Sequence, residues 1–300
     1  MSACASLEGI SDLYEVPELV DVPFHTQSDF DCGPAALATI LNAEGVAVSP
    51  AELIDVVYIE RLKGSLQVEL VGATRRYGLL PIPIPPDPQS LLTEISSGRP
   101  VLVLQNLRFA RAPAWHYAVV VGYSAERGRF VLRSGEEERR MERASRFMRS
   151  WRLADNWGFV AVTPGEIPSS ATPDTYMRAL VGSVRQLDVS DSERAYATAL
   201  DRWPNDSLVL FLAASWEQSR ANLALAARLY RRLLALEPEH AAGRNNLANI
   251  LLDQGCKDEA LREARAALET QSPDGDFYSA ITDTIQKIES DHSGPRASCT

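Results

Sequence analysis

The hydrophobic pattern of the first 165 residues changes from helical to extended along the chain. Three segments have apolar residues at helical spacing and end at a glycine: 33–45, 65–78 and 91–98. Ser65 is the expected N-cap of the second helix. Four short apolar runs bounded by turns follow: 101–105, 116–123, 129–134 and 157–164. The stretch 81–88 is excluded from the centre of a sheet because its prolines lack amide donors. Helices followed by antiparallel strands predict an α+β domain.

From residue 173 onwards the pattern is helical and repeats every 34 residues. Residues matched at this interval are mostly small or aromatic: Ser192, Ala226 and Ala260; Tyr196, Tyr230 and Ala264; Ala179, Ala213 and Leu247. Pro204 and Pro238 end two successive units. Such a period, with small residues where two helices cross, is the signature of tetratricopeptide repeats. We therefore expect an all-α repeat solenoid, closed by a polar-faced capping helix over 276–290.

A segment with three prolines and a glycine, 163–173, separates the two patterns. The length of 300 residues also suits two domains. The predicted parts are an N-terminal tail (1–20), an α+β domain (21–165), a linker (166–172), tetratricopeptide repeats with a capping helix (173–290) and a disordered tail (291–300).

Composition and charge narrow the classes of function. With 45% apolar and 23% charged residues, the chain has the composition of an ordinary soluble globular protein. Thirty Lys and Arg against forty Asp and Glu give a net charge of −10, which disfavours nucleic acid as a partner. No apolar run approaches the roughly 20 residues of a transmembrane span. The cysteines are too far apart in sequence to indicate a zinc site or a disulfide framework: Cys4, Cys32, Cys256 and Cys299.

Cys32 is the strongest candidate for chemistry. It begins the first predicted helix, where the macrodipole and free backbone N–H groups favour a thiolate over a thiol. Gly33 and Pro34 let the chain enter the helix without crowding the sulfur. Because the thiolate is the attacking form, we expect Cys32 to be a nucleophile with a lowered pKa.

A nucleophilic thiol needs a base, and the chain has four histidines: His25, His116, His240 and His292. His116 opens an apolar strand, where its ring would be held rigid and partly shielded from water. Gln27, five residues before Cys32, is placed to direct its side-chain amide, together with the Cys32 N–H, at a developing oxyanion. The candidate catalytic residues are therefore Cys32, His116 and Gln27, and no metal or organic cofactor is called for.

These residues lie in segments that resemble a known family. The resembling segments are Gln27, Cys-Gly-Pro-Ala-Ala (32–36), Gly-Arg-Pro-Val-Leu-Val-Leu (98–104) and His-Tyr-Ala-Val-Val-Val-Gly-Tyr (116–123). In this order they are similar to the bacteriocin-processing, double-glycine-type cysteine peptidases, and most to the stand-alone peptidase-like branch that is not fused to a transporter. The resemblance covers 21–164 and implies a papain-like fold. It also implies that Cys32 is the nucleophile, His116 the general base and acid, and Gln27 the oxyanion donor.

One position departs from the family pattern. The family usually has an Asp or Asn, often followed by Pro, at the end of the strand after the His strand, where this chain has Arg133 and Ser134. Ser134, Asp155 and Asn156 are the alternatives for orienting the imidazole. The charged run 136–140 is expected to form an exposed turn.

The first six residues, Met-Ser-Ala-Cys-Ala-Ser, resemble the end of a bacterial lipoprotein signal, although the upstream apolar region is missing. This resemblance predicts a lipid anchor at Cys4 and a location in the periplasm or cell envelope. Without the anchor, a cytoplasmic location is expected.

The sequence favours a cysteine peptidase that hydrolyses peptide bonds, joined to a helical module that docks a neutral or basic peptide or protein. Two alternatives remain open. The missing Asp motivates a catalytically silent scaffold that binds protein partners. A Cys-dependent acyl or γ-glutamyl transferase is the other alternative, since phytochelatin-synthase-like enzymes share a helix-leading Cys and a distant His.

Overall fold

The computed structural model of the 300-residue chain describes residues 13–27 and 31–291. Cys4, with the lipid anchor predicted there, and Cys299 lie outside the described residues. The chain divides into two compact units, Met1–Ala195 and Tyr196–Thr300. The boundary between these units falls inside a helix of the predicted repeat region.

In its described residues, the N-terminal unit combines helices with one antiparallel sheet. The helices that precede the repeat region are α1 (Cys32–Ala43), α2 (Pro50–Val57), α3 (Gln67–Arg76), α4 (Pro88–Ser96) and α5 (Ala144–Arg152). The strands are β1 (Leu80–Pro83), β2 (Val101–Asn106), β3 (Trp115–Ser124), β4 (Arg129–Ser134), β5 (Glu137–Arg143) and β6 (Gly158–Val162). They pair in the order β1-β6-β2-β3-β4-β5. The predicted α+β class is therefore confirmed.

Helices cover both faces of the sheet, as neighbouring residues of β4 show. Val131 belongs to a core that includes Leu37 and Ile40 of α1. Phe130 instead packs on Phe147 of α5, with ring centroids 4.3 Å apart. Because successive side chains of a strand point to opposite faces, α1 and α5 lie on opposite sides of the sheet. This two-sided cover explains why β2 is buried at every position rather than at alternate ones.

The two edges of the sheet are protected in different ways. β1 contains Pro81 and Pro83 and is an edge strand, as its prolines predict. The opposite edge is β5. Of the run 136–140, which was expected to form an exposed turn, Glu136 lies in a turn, whereas 137–140 belong to the strand. Arg140 pairs with Leu132 of β4 across the ladder. Charged side chains suit an edge strand because they discourage pairing with another chain.

Two helix starts differ from the expectation. Leu66, not Ser65, is the N-cap of α3, and it makes no side-chain capping hydrogen bond. The sequence pattern also missed α2, which begins with a capping box. There the Ser49 hydroxyl accepts from the Glu52 N–H, and the Glu52 carboxylate accepts from the Ser49 N–H at 2.8 Å.

The predicted repeats are present as helix pairs. The helices are α6 (Pro173–Ser183), α7 (Val189–Arg202), α8 (Ser207–Ser219), α9 (Leu223–Leu236), α10 (Ala241–Asp253), α11 (Lys257–Glu269) and α12 (Tyr278–Ser290). Starts recur every 34 residues through α6, α8 and α10, and again through α7, α9 and α11. The matched residues Ala226 and Ala260 are fully buried. This spacing and burial are those of a tetratricopeptide solenoid.

The two cysteines within the described residues differ in bonding state. Cys32 is a free thiol, whereas Cys256 is disulfide-bonded. The spacing of the cysteines did not indicate this disulfide, because distance along the sequence does not report distance in space. Within the described part of the chain, every helix is too short or too polar to cross a bilayer.

Candidate active site

Cys32 occupies the first position of α1. Its neighbour Gly33 lies against Ser65 and Tyr117, which belong to other segments of the domain. A Cβ atom at Gly33 would lie 2.5 Å from the Ser65 hydroxyl oxygen. Glycine at this position therefore lets the segment around Ser65 approach the start of α1. The Ser65 hydroxyl is itself buried and has no hydrogen-bond partner among the described residues.

Tyr117, which follows His116 on β3, connects the thiol to that strand. Its backbone lowers the pKa of the Cys32 thiol, and its hydroxyl donates to the Ser65 carbonyl oxygen at 3.1 Å. Burial and the neighbouring Cys32 raise the pKa of the Tyr117 hydroxyl, so this group stays protonated and remains a donor. The start of α1 is thus held against the same end of β3 that carries His116.

The His116 imidazole is fixed by Ser134 at the end of β4. His116 Nε2 and Ser134 Oγ are 2.7 Å apart. With Nε2 engaged in this hydrogen bond, Nδ1 is the ring nitrogen left for a second partner. Within the described residues, Cys32 and His116 do not hydrogen-bond to each other. Tyr117 and His116 are successive residues of β3, so their side chains point to opposite faces of the sheet, and Tyr117 lies in the core beside α1.

Gln27 is buried and hydrogen-bonded at both ends of its amide. The Gly135 N–H donates to Gln27 Oε1 at 2.7 Å, and this assigns the amide orientation because a backbone N–H can only donate. Gln27 Nε2 therefore points towards Tyr117, whose carbonyl oxygen is 3.5 Å away. Because Gly135 directly follows Ser134, one turn positions both the imidazole and the amide.

The pKa of the Cys32 thiol is shifted in the direction opposite to the one expected. Burial raises the pKa of Cys32, and this outweighs the backbone hydrogen bonds from Tyr117 and Gly33 that lower it. The predicted lowering by the helix N-terminus is therefore wrong. Burial also lowers the pKa of His116 to about 4, with a contribution from the positive charge of Arg140. Both members of the pair are consequently neutral near pH 7.

Of the three candidates for orienting the imidazole, the structure brings Ser134 to His116. Asp155 and Asn156 form a left-handed turn after α5, with φ angles of 55° and 51°. Asn156 Nδ2 donates to the Pro86 carbonyl oxygen at 2.7 Å, on a different part of the domain.

Arg133 stands where the family has its acid, and it has a structural role instead. It is only 3% exposed, and Nη1 lies 2.8 Å from Glu18 Oε1. Nε and Nη2 donate to the carbonyl oxygens of Val22 and Leu19. Arg133 therefore ties the segment before Gln27 to β4.

Sequence reasoning missed three residues of this site: Ser65, Tyr117 and Arg140. The position of Tyr117 directly after His116 was an available signal. Ser65 and Arg140 are far from Cys32 in sequence, and their types carry no chemical signature. The Arg140 Nη1 atom lies 3.8 Å from the point that a Cβ on Gly135 would occupy, which places it beside the turn that holds Gln27.

One family model matches the N-terminal part of the chain. Residues 19–159 match the model described as the Peptidase_C39 like family. None of the curated proteins compared with the chain matches it. Among solved structures, a mutant O-GlcNAc transferase from Thermobaculum terrenum is 30% identical over 39% of this chain, with a TM-score of 0.34. The match spans 23% of that transferase. A C39-like peptidase from Bacillus anthracis is 14% identical, covering 52% of this chain and 100% of that one, with a TM-score of 0.41. Residues 19–159, just under half of the chain, are therefore similar to the Peptidase_C39-like family.

Proposed function

We propose that the N-terminal domain is a cysteine peptidase with Cys32 as nucleophile, His116 as general base and acid, and Gln27 as oxyanion donor. One observation carries the proposal. The Ser134–Gly135 turn holds the imidazole and the Gln27 amide, while the Tyr117 ring lies beside Gly33, the neighbour of Cys32. Thiol-dependent acyl transfer needs a thiol, an imidazole and an oxyanion donor, and these segments carry one of each.

The first half of the reaction forms a thioester. His116 Nδ1 accepts the thiol proton as the Cys32 sulfur bonds to the peptide carbonyl carbon. Gln27 Nε2 and the Cys32 N–H donate to the oxygen that becomes negative. The C–N bond then breaks, and the proton on Nδ1 passes to the leaving amine. Throughout, the Nε2–H donates to Ser134, which keeps the ring in the tautomer that can accept at Nδ1.

The second half releases the acid. Water gives one proton to His116 Nδ1 and adds its oxygen to the thioester carbon. The C–S bond breaks, the carboxylic acid leaves, and the Nδ1 proton returns to sulfur. Because both groups begin and end neutral, the mechanism requires general-base removal of the thiol proton rather than a stored thiolate–imidazolium pair.

Peptide-library cleavage by the wild type beside Cys32→Ala tests the proposal. We expect new peptide N-termini in the wild-type digest, detected by mass spectrometry, and none with Cys32→Ala. Adding amine acceptors in a parallel reaction distinguishes hydrolysis from acyl transfer. Equal digestion by both proteins would overturn the assignment of Cys32.

A catalytically silent scaffold is the second candidate, and two observations favour it. Ser134 replaces the carboxylate that would stabilise an imidazolium, and Cys32 and His116 are not hydrogen-bonded within the described residues. If no library peptide is cleaved but a peptide binds competitively with alkylation of Cys32, the scaffold is the correct function.

The helical repeats are proposed to dock a peptide or protein. A cavity of about 420 Å³ lies among α9, α10 and α11, with Leu234, Leu247 and Leu251 beside arginine and glutamate side chains. Mixed apolar and charged lining suits a polypeptide more than a small apolar ligand. Leu234→Glu should weaken binding of the docked peptide without altering cleavage of short peptides.

The lipid anchor at Cys4 also stays a proposal, and the cell-envelope location depends on it. Mass spectrometry of the protein from its host tests both. A diacylglyceryl mass on Cys4 is expected, and an unmodified chain that retains Met1 would exclude the anchor.

A further inference from the structure

The surface formed by β5 and α5 has an unusual concentration of positive charge. The two elements, residues 137–152, contain six arginines and three glutamates, in a chain whose net charge is −10. A groove of about 660 Å³ runs over this surface, and we call it the arginine groove. Its charged lining consists of Arg129, Arg140, Arg143, Arg146, Arg149 and Glu142.

Internal acids neutralise only part of this charge. Glu142 pairs with Arg146 at 3.2 Å. Within the described residues, no carboxylate lies within ion-pair distance of Arg140 or Arg143. Arg149 lies over the ring of Phe109, with its guanidinium carbon 5.9 Å from the ring centroid. The groove therefore keeps a net positive charge that is open to an anionic ligand.

An apolar pocket continues the arginine groove. It has a volume of about 240 Å³ and shares Ser145 and Arg149 with the groove. Phe109, Met148 and Leu153 line it, and the Phe109 side chain is 66% exposed. Its size and lining suit one aliphatic or aromatic side chain.

Arg140 joins the arginine groove to the candidate active site. It lines the groove, and its Nη1 lies beside Gly135 in the turn that holds Gln27 and His116. The positive charge of Arg140 also contributes to the lowered pKa of His116. β5 is an edge strand, so an extended chain can run along it towards this turn.

We propose that the arginine groove binds an acidic segment of the polypeptide substrate, with one apolar side chain of that segment in the pocket beside Phe109. This specificity rests on the proposed peptidase function. A nucleic acid is disfavoured as the occupant because the net charge of −10 repels a long polyanion, and because the groove adjoins a site for peptide chemistry.

Fluorescence anisotropy with full-length Cys32→Ala tests the proposal without turnover. The probe is a labelled ten-residue peptide with four Glu and one Leu, compared with the same peptide carrying Gln at the four Glu positions. We expect the Glu peptide to bind about tenfold more tightly at low ionic strength, with a difference that shrinks as salt is added. Equal affinities, or tighter binding of a single-stranded oligonucleotide of the same charge, would overturn the proposal.

Charge-removing variants locate the binding. Arg143→Gln, Arg146→Gln and Arg149→Gln, combined in the Cys32→Ala chain, should abolish the preference for Glu. A matched triple change at exposed arginines outside the groove, Arg185→Gln, Arg228→Gln and Arg265→Gln, alters net charge equally and should preserve it. Loss of the preference in both triples would show that only total charge matters, against the proposal.

Failure of this inference is distinguishable from failure of the proposed function. Cleavage of library peptides with no preference for acidic residues would show that the arginine groove does not determine specificity, while the proposed peptidase activity would stand. Binding of the Glu peptide at the groove, with no cleavage of any peptide, would support recognition of an acidic ligand and overturn the proposed peptidase activity.

Discussion

The hydrogen bond from His116 to Ser134 is the residue-scale feature on which the chemistry depends. It fixes the ring and the tautomer but supplies no negative charge, unlike the carboxylate usual in the family. Burial together with Arg140 then holds the pKa of His116 near 4, so the imidazole remains a neutral base over most of the pH range. The residue types at Cys32, Gln27 and His116 could be read from the sequence, whereas this electrostatic balance could not, because it depends on burial.

Ser134→Asp should move the pH dependence of Cys32 alkylation. In the wild type, protonation of His116 removes the base only below about pH 4. A carboxylate beside the ring favours the imidazolium and should raise this pKa by about one to three units. The measurement is the rate of Cys32 alkylation by iodoacetamide from pH 3 to pH 10. Ser134→Ala should lower the rate while leaving the low-pH step in place. An unmoved step in Ser134→Asp would show that Ser134 does not control the ring.

At the scale of elements, hydrophobic periodicity predicted α1, α3, α4, β2, β3, β4 and β6, because each buries a continuous apolar face or run. It missed α2, whose signal is the Ser49–Glu52 capping box rather than a long apolar face. It also missed β5, whose charged residues predicted a turn but instead form a strand that pairs with β4 at the edge of the sheet. Edge strands bury little, so their sequences carry little of the pattern that identifies central strands.

Arg133→Met should destabilise the N-terminal unit by about 3 kcal/mol, because it removes the buried partner of three backbone carbonyl groups and leaves Glu18 with Arg139 alone. The free energy of unfolding in urea measures this effect. Arg139→Met is the matched control, since Arg139 pairs with the same Glu18 carboxylate but is 53% exposed. That control should cost less than about 1 kcal/mol. Equal losses of unfolding free energy in Arg133→Met and Arg139→Met would contradict the structural role assigned to Arg133.

At the scale of the whole molecule, the 34-residue period could be read directly, because each repeat buries the same small residues. The predicted division near residue 165 rested on prolines, which mark the end of an element. In the structure, the N-terminal unit extends to Ala195, and α6 contacts β1 within it. The predicted linker is also tied to this unit, since the Ser170 N–H donates to the buried Glu94 carboxylate at 2.5 Å.

This attachment predicts that residues 166–172 resist proteolysis in the full chain. Elastase cleaves after small residues, and Ser169, Ser170 and Ala171 offer such positions. Glu94→Ala removes the acceptor for the Ser170 N–H and should speed cleavage there severalfold. Mass spectrometry of early fragments measures the rate. Rapid cleavage of the wild type at these positions would show that the segment is a free linker.

The pairing of thiol and imidazole is tested most directly by the rate at which Cys32 is alkylated by iodoacetamide at pH 7. Peptide mapping assigns the label to Cys32, and His116→Gln preserves side-chain polarity and approximate size without a titrating base. We predict that Cys32 in the wild type reacts at least about tenfold faster than in His116→Gln, with unchanged folding of both proteins by circular dichroism. Equal rates in the two proteins would contradict the account, because Cys32 would then react without help from His116.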